Sequence, residues 1–377
     1  MTARKVAMVI NSLGSGGVPE AVLNLCAHLP RDRFAPHLFV LKADTLPGQA
    51  DHGLGRFHAA GVPVTMAQSP DGKIGVVAEL ADWIAAQQIE ILHSHSFRPN
   101  LYARMAGAIC RPSGLRIMAH YHNQYDDKWP EGQTALTLER RLTGVTDAMV
   151  AVSGAVRDHV AKALGLNADR ITVIANGVTA DKVRPLNRDD ARRTLGLAPG
   201  DLGIGLIGRV CTQKGQEDIV EAALSLRRQL PQAVVLMIGA IEDEALHRRL
   251  VARIDAEGAT AQIRFCGHMP DIAPAYAGLD ILAAPSRWEG FGLMLVEAMA
   301  ARLPIVATDV GAIAEVTGGA ARLVSPASPA ALAEAILTFD AAARAQASMA
   351  GARRAQAFDW SQAAKQLATL YDAMPRP

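Results

Sequence analysis

Two glutamates with seven residues between them, Glu289 and Glu297, mark the segment of this sequence with the clearest chemical character. The residues before them, Leu279–Ala284, are typical of a buried strand, and Leu293–Leu303 is typical of a helix. Glu289 is therefore expected in the connecting loop and Glu297 about one turn into the helix, with free backbone amides between them that suit an anion. Because a carboxylate can accept hydrogen bonds from both hydroxyls of a vicinal diol, the pattern predicts a ligand with a central diphosphate and hydroxyl-rich ends, such as a nucleotide-sugar.

Two cations follow another predicted strand. Gly203–Gly208 ends in Arg209, and Lys214 stands at the start of the next helical pattern. An arginine fork and a lysine point charge at the carboxyl end of a strand can hold a diphosphate and stabilise its charge as it leaves. A solvated surface pair is the alternative, but the position of this pair one segment ahead of the Glu289 loop favours the ligand.

A glycine-rich turn follows the first predicted strand, which spans Lys5–Asn11. Gly14, Gly16 and Gly17 allow close approach of a ligand to the backbone, and Pro19 suits the first turn of a helix. The segment has neither the Gly-Lys-Ser/Thr ending of a phosphate-binding loop nor the third glycine of the dinucleotide fingerprint. An anion site and an ordinary tight turn both remain open here.

Four histidines form two His-x-His pairs, His93 with His95 and His120 with His122. Each pair ends a predicted strand, and residues two apart share one face of a strand. Imidazole is a common zinc ligand. No Asp or Glu is interleaved, however, so we expect no metal site and prefer histidines hydrogen-bonded near a cleft, one of which contacts a sugar.

Short apolar strands alternate with helical patterns along the whole sequence, which indicates an α/β fold with parallel sheets covered on both faces. The pattern restarts after a linker at 176–200, so we predict two doubly wound domains, 1–184 and 185–358, facing across a cleft. A final helix, Ser361–Met374, has no strand after it; this segment, 359–377, is expected to pack back on the first domain.

Composition excludes several classes of protein. A length of 377 residues suggests two domains, and 50% apolar with 20% charged residues indicates a globular chain. The net charge of +1 argues against nucleic acid as a partner. Four separated cysteines are expected to be reduced, buried thiols. The sequence begins with a predicted strand rather than a signal peptide, and no apolar run reaches the length of about 20 residues that a membrane-spanning helix needs. We therefore predict a cytoplasmic protein, which could also bind peripherally to the inner face of the membrane.

The order of the motifs resembles that of retaining glycosyltransferases with the GT-B fold, in glycosyltransferase family 4. The resemblance covers nearly the whole length and is most specific in the Glu-x7-Glu segment. The matching pieces are Gly16-Gly17, Leu92–His95, Asp147–Ser153, Val173–Val178, Gly208–Gly215, Pro285–Ala300 and Pro304–Gly311, with Glu315 shortly after.

The resemblance implies roles for particular residues. Domain 1–184 would bind the acceptor and domain 185–358 the nucleotide-sugar donor. Arg209 and Lys214 would bind the donor diphosphate, and Glu289 the sugar hydroxyls. The residues that would complete the donor site are Gly16, Gly17, Phe291, Gly292, Leu293, Met294 and Glu297, the last of these holding the ribose diol.

His122 is the best match to the histidine that contacts the transferred sugar in this family, with His120 as its rival. The sequence departs from the family pattern at Thr179, where an Asp is common, and at Val183, where an aromatic residue is usual. The segment after His122, with Tyr125, Asp126, Asp127 and Trp129, follows no transferable pattern and is expected to define the acceptor or to cap the cleft.

The sequence thus predicts a retaining glycosyltransferase that uses a UDP- or GDP-sugar and requires neither a cofactor nor a divalent metal. The acceptor is expected to be a saccharide, a lipid-linked saccharide or a small molecule, in surface glycan or glycolipid synthesis. A sugar-nucleotide epimerase, a glycoside phosphorylase, a transferase acting on a small metabolite and a non-catalytic nucleotide-sugar-binding protein are the alternatives.

Overall fold

The computed structural model describes residues 2–14, 16–42, 49–69, 71–124 and 132–376. These residues form two compact units, Met1–Gly177 with Trp360–Pro377 and Val178–Asp359. The sequence predicts a boundary near Arg184, but the 3-10 turn at Ala180–Val183 packs on helices of the second unit, so the chain changes unit about seven residues earlier.

Strands and helices alternate in the first unit, as predicted. Its elements are β1 (Arg4–Ile10), α1 (Gly17–His28), β2 (Phe34–Val40), α2 (Gln49–Ala59), β3 (Val64–Met66), α3 (Gly72–Gln87), β4 (Ile91–His95), α4 (Phe97–Cys110), β5 (Arg116–Tyr121), α5 (Gly132–Leu142), β6 (Ala148–Ala151), α6 (Gly154–Leu164) and β7 (Ile171–Val173), with α15 (Trp360–Ala373) returning from the end of the chain.

The first unit contains a parallel sheet with the strand order β3-β2-β1-β4-β5-β6-β7. The order reverses between β1 and β4, and ligands of such sheets bind at the carboxyl ends of the strands beside this switch point. One face packs on α3 and α4 through an apolar cluster that includes Val9, Leu92 and Ile117.

Helix α15 belongs to the first unit and lies against α1. Tyr371 is fully buried, and its ring packs on Phe34 with the centroids 5.2 Å apart. The buried Arg4 donates hydrogen bonds to the carbonyls of Tyr371 at 2.7 Å and Met374 at 3.0 Å. A cation at the carboxyl end of a helix satisfies carbonyls that have no partner within the helix, so Arg4 fixes the end of α15 to β1.

The second unit repeats the same plan with a parallel sheet in the order β10-β9-β8-β11-β12-β13. Its elements are α7 (Arg188–Thr194), β8 (Leu202–Ile207), α8 (Gln216–Leu226), β9 (Ala233–Ile238), α9 (Glu244–Ala256), β10 (Ile263–Gly267), α10 (Ala273–Gly278), β11 (Ile281–Ala284), α11 (Leu293–Ala300), β12 (Ile305–Thr308), α12 (Ile313–Thr317), β13 (Ala321–Val324), α13 (Pro329–Leu337) and α14 (Ala341–Ala355). Its switch point lies between β8 and β11.

The cysteines differ from the expectation of buried thiols. Cys26 and Cys211 are buried, Cys110 is partly buried and Cys266 is exposed. Cys266 lies on β10, an edge strand on which only Ile263 is buried, so the faces of this strand are poorly covered around Cys266.

Among the described residues, none of the helices combines the length and the apolar character needed to cross a membrane.

Candidate active site

Two loops meet at the switch point of the second unit. The first follows β8 and contains Arg209 and Lys214, and the second joins β11 to α11 and contains Glu289. Since β8 and β11 are neighbouring parallel strands, both loops lie at the same edge of the sheet. The structure therefore places the strand-to-helix loop and the predicted cations side by side.

Hydrogen bonds join the two loops. The Arg287 amide donates to the Gln213 carbonyl at 2.8 Å, and the Gln213 side chain donates back to the Trp288 carbonyl at 3.1 Å. Gln213, Arg287 and Trp288 were not singled out from the sequence, because bonds between segments about 75 residues apart leave no local pattern. These hydrogen bonds fix the distance between the next residue of each loop, Lys214 and Glu289.

Lys214 and Glu289 form an ion pair, with Nζ 2.6 Å from Oε2. Their side chains are 13% and 10% exposed, so each charge is largely removed from water but retains an opening to solvent. The stem of Lys214 crosses Gly208, where an added Cβ would lie 3.2 Å from the lysine side chain. A cation and a carboxylate in this position can bind a phosphate and a sugar hydroxyl, respectively.

Glycines hold this geometry at two close contacts. Gly311 has φ +54, and a Cβ added there would lie 2.0 Å from the Glu289 carbonyl, which accepts a hydrogen bond from the Ala312 amide at 3.0 Å. Gly215 has φ +71, and its added Cβ would lie 2.0 Å from the Pro285 carbonyl. Any other residue would displace the loop that carries Glu289.

Helix α11 begins at Leu293 after Gly292, which has φ +83 and contributes no side-chain cap. The first-turn amides of Leu293 and Met294 therefore have no cap from this residue, as expected for an anion-binding helix start. Phe291 is buried and its ring meets Phe358 edge-on at 5.6 Å. Its side chain anchors the loop through this ring contact.

Glu297 lies in α11, as predicted, and is 5% exposed. Its Oε2 accepts a hydrogen bond from the Tyr276 hydroxyl at 2.6 Å, and its Oε1 is 3.3 Å from Lys182 Nζ. Burial and the adjacent carboxylate raise the pKa of Tyr276 well above its usual range, so the hydroxyl remains a donor. The sequence did not identify Tyr276 or Lys182, because they come from α10 and from the turn at Ala180–Val183.

Arg209 forms an ion pair with Glu242, a residue that the sequence did not identify. The Gln216 side chain donates to the Arg209 carbonyl at 2.7 Å, which fixes the backbone but leaves the guanidinium on a partly exposed side chain. The structure thus pairs the two predicted cations with two different carboxylates, Glu242 for Arg209 and Glu289 for Lys214.

The glycine turn of the first unit lies beside its switch point, after β1. Helix α1 begins at Gly17, which places Pro19 in the first helical turn, as predicted. Gly16 is extended, with φ 175, a backbone conformation that any residue adopts, and an added Cβ would meet only Pro19 at 3.9 Å. The space beside Gly16, rather than an unusual backbone angle, is what would allow close approach of a ligand.

The histidine pairs lie at the carboxyl ends of β4 and β5, where His95 and His120 are register partners. His93, His95 and His120 are buried, whereas His122 is partly exposed. His95 Nδ1 lies 3.0 Å from His122 Nε2, and the rings of His120 and His122 stack at 4.3 Å. Burial lowers the pKa of His122 to about 3 and the pKa values of the others well below their usual range, so all four are neutral at pH 7.

The turn after β4 is fixed by polar contacts. Ser96 has φ +73, uncommon for a residue with a side chain, and its amide donates to the His120 carbonyl at 2.9 Å. The buried Asn100 donates to the same carbonyl at 3.2 Å and accepts from Ser94 Oγ at 2.8 Å. The positions of His95 and His120 are therefore set by backbone contacts. The segment with Tyr125, Asp126, Asp127 and Trp129 lies outside the described residues.

Known protein families and solved structures match this chain in sequence and in fold. Residues 15–182 match the family described as Glycosyltransferase Family 4, and residues 201–339 match Glycosyl transferases group 1. Among solved structures, HepE of Anabaena in complex with UDP and glucose superposes with a TM-score of 0.84 at 22% identity, covering 98% of this chain and 100% of that chain. At this identity the likeness concerns the fold, which is GT-B.

Curated relatives agree with these matches. The lipopolysaccharide core mannosyltransferase LpsB of Rhizobium meliloti is 34% identical over 54% of this chain and 61% of its own length. LpcC of Rhizobium leguminosarum, a mannosyltransferase of the same description, is 33% identical over 64% of this chain and 73% of its length. The D-inositol 3-phosphate glycosyltransferase of Nocardia farcinica is 32% identical over 46% of this chain and 40% of its length. The chain thus aligns with less than two thirds of the length of LpsB and of the Nocardia protein.

The fold and the site define the class: a two-unit protein of GT-B architecture with a charged loop pair at the switch point of its second unit. The chain belongs to glycosyltransferase family 4.

Proposed function

We propose that this protein is a retaining glycosyltransferase that moves a sugar from a UDP- or GDP-sugar to an acceptor hydroxyl. The observation that carries the proposal is the Lys214–Glu289 pair, with Nζ 2.6 Å from Oε2, at the switch point of the second unit. A buried cation and carboxylate at this edge suit a ligand that presents a phosphate and a hydroxyl to the same place.

In the proposed donor complex, Lys214 and Arg209 bind the diphosphate, and the first-turn amides of α11 support it. Glu289 accepts hydrogen bonds from the sugar, and Glu297 accepts them from the ribose diol, with Tyr276 fixing one of its oxygens. Gly16, Gly17 and His122, which lie in the first unit, are assigned the donor contacts that the family resemblance implies. Basic side chains stabilise the leaving diphosphate without a divalent ion in the donor site.

The proposed reaction is attack on the face from which the diphosphate leaves. The bond from the anomeric carbon to the phosphate oxygen breaks with its electron pair, and the acceptor oxygen bonds to that carbon. The acceptor proton moves to the leaving phosphate. Retention by a covalent intermediate would need a carboxylate nucleophile. Glu289 is bound to Lys214 and is assigned to hydroxyl binding, so it is a poor candidate for that role.

We propose a saccharide or lipid-linked saccharide as acceptor, supported by the lipopolysaccharide core mannosyltransferases LpsB and LpcC. A lipid-linked acceptor would bring the protein to a membrane surface as a peripheral protein. A small polar acceptor is the second candidate, since D-inositol 3-phosphate glycosyltransferases align over about half of the chain.

Two measurements test the proposal. UDP-, GDP-, ADP- and dTDP-sugars are screened for a rise in melting temperature, and the anomeric configuration of the product is then determined by NMR. A UDP- or GDP-sugar should stabilise the protein, and the product should keep the configuration of the donor. An inverted product would exclude same-face attack, and stabilisation by none of the donors would contradict the nucleotide-sugar site. Conversion of the donor into its epimer in the absence of acceptor, with no net release of nucleotide, would favour an epimerase.

A further inference from the structure

His93, His95 and His120 form a buried cluster in the first unit, which we call the histidine triad. Each is 0–1% exposed, and one ring nitrogen from each of the three lies within 4.8 Å of those of the other two. The parallel pairing of β4 and β5 produces this proximity, because His93 and His95 share one strand face and His120 is in register with His95. The donor-site roles proposed above do not use the triad.

The triad has unsatisfied nitrogen atoms. Among the described residues, no hydrogen-bond partner is present for His93 Nε2, for His95 Nε2 or for either nitrogen of His120. Buried polar atoms in folded proteins almost always have a partner, and an isolated exception points to a bound water or ion. Several such atoms in one small buried cluster point to a single shared partner.

His93 can hold a metal through Nε2, its nitrogen without a hydrogen-bond partner among the described residues. The Tyr371 hydroxyl lies 2.6 Å from His93 Nδ1 and 3.9 Å from Met8 Sδ. In the tautomer with its proton on Nδ1, His93 donates to the Tyr371 oxygen and keeps an unprotonated Nε2. Metal-binding histidines commonly have this form, in which the second nitrogen donates to an outer oxygen that orients the ring.

We propose that the histidine triad binds one transition-metal ion of the zinc class through His93, His95 and His120. Imidazole nitrogens suit zinc, copper, nickel and iron, and three histidines leave a fourth position for water or a ligand atom. Two nitrogens that bind one zinc ion in a tetrahedron are about 3.4 Å apart, so ring rotations must shorten the widest separation by up to about 1.4 Å. The neutral form of these imidazoles is the form that binds metal.

The proposed metal site is separate from the proposed transfer reaction. It also departs from the sequence-based expectation that the histidine pairs bind no metal. In the transfer reaction the diphosphate is bound by Lys214 and Arg209, so the ion has no part in neutralising it. A metal bound at His95 Nε2 leaves the proton of His95 on Nδ1, which donates to His122 Nε2 at 3.0 Å. His122 would then carry its own proton on Nδ1. If His122 contacts the transferred sugar, which rests on the proposed function, it would do so as a hydrogen-bond donor through Nδ1.

The test is metal binding by the full chain, which needs no donor or acceptor. Protein stripped with a chelator is titrated with ZnCl2 by calorimetry and with CoCl2 by visible absorption. We expect one equivalent of each ion, a rise in melting temperature with zinc, and the intense cobalt band of a four-coordinate site. Absence of binding by the folded, stripped protein would overturn the proposal.

Variants locate the ion. His95→Gln and His120→Gln should lose stoichiometric binding, and Tyr371→Phe should weaken it by about 10-fold or more. His37→Gln is the matched control, since His37 lies on β2 of the same sheet and outside the triad. Circular dichroism and gel filtration establish that each variant is folded. Binding that persists in both folded triad variants would place the ion elsewhere and refute the assignment, whatever the outcome of transfer assays.

Discussion

Lys214 Nζ lies 2.6 Å from Glu289 Oε2, although the two residues are 75 positions apart in the sequence. The pairing follows from the sheet, because β8 and β11 are neighbours and their loops meet at the same edge. Each charge stabilises the other in the free protein. In the proposed donor complex the two groups have different roles: Lys214 binds phosphate and Glu289 binds the sugar.

The Lys214→Ala variant should lose transfer activity. Removal of a fixed cation that stabilises a leaving group should lower kcat by about 100-fold or more. The Glu289 carboxylate would also lose its buried partner, which should lower the free energy of unfolding by about 1–3 kcal/mol. Initial rates and thermal unfolding measure the two effects. Lys365→Ala, an exposed lysine on α15, is the control and should change neither. Normal activity of folded Lys214→Ala would refute its role.

The Tyr276→Phe variant should weaken donor binding. Its hydroxyl donates to Glu297 Oε2 at 2.6 Å, and without that bond the carboxylate is free to turn away from the ribose. Loss of one hydrogen bond to a charged group, about 1.5–3 kcal/mol, corresponds to a donor KM about 10–150-fold higher with kcat nearly unchanged. A lower kcat at unchanged KM would mean that Glu297 acts at the reacting centre instead.

The Gly311→Ala variant should be less stable and less active than Gly319→Ala. Both glycines have positive φ, +54 and +83, but the added Cβ of Gly311 would lie 2.0 Å from the Glu289 carbonyl while that of Gly319 meets nothing within 4 Å. The left-handed conformation costs about 1–2 kcal/mol in each variant, so the difference between them reports the contact. Thermal unfolding and donor KM should separate the two, and equal values would show that the loop adapts.

The ion pair between Arg209 and Glu242 should compete with donor binding. Arg209→Ala should raise the donor KM, whereas Glu242→Gln should lower it, because the guanidinium is then free for phosphate. An exposed ion pair is worth about 0.2–1 kcal/mol, so the decrease should not exceed about fivefold. Glu221→Gln, which interrupts a similar exposed pair with Arg253, is the control and should leave KM unchanged. A higher KM in Glu242→Gln would contradict the competition.

Much of the fold could be predicted from the sequence, because buried parallel strands read as apolar runs bounded by glycine and proline. Strand β8, Leu202–Ile207, lies one residue from the predicted Gly203–Gly208, and β11 and α11 enclose Glu289 as expected. Strand β13 was not predicted: Ala321–Val324 is a partly exposed edge strand that includes Arg322, so its apolar signal is weak.

Other features could not be predicted because they depend on contacts between distant segments. Helix α5 carries Glu139, which reads as a surface residue but forms a fully buried ion pair with Arg104. The contacts of Glu297 with Tyr276 and Lys182 likewise join three separate elements. The residue types of the site were recognisable from local sequence, whereas their partners are set by the tertiary fold.

The return of α15 to the first unit makes the second unit an insertion within the first. Its two ends lie side by side, since the Val178 amide donates to the Phe358 carbonyl at 3.2 Å. A module with adjacent ends can be removed or exchanged without stretching the chain that holds it. We therefore expect that residues 178–359 can be exchanged for the corresponding part of a relative. We also expect that a short linker in their place would join the sheet of the first unit to α15.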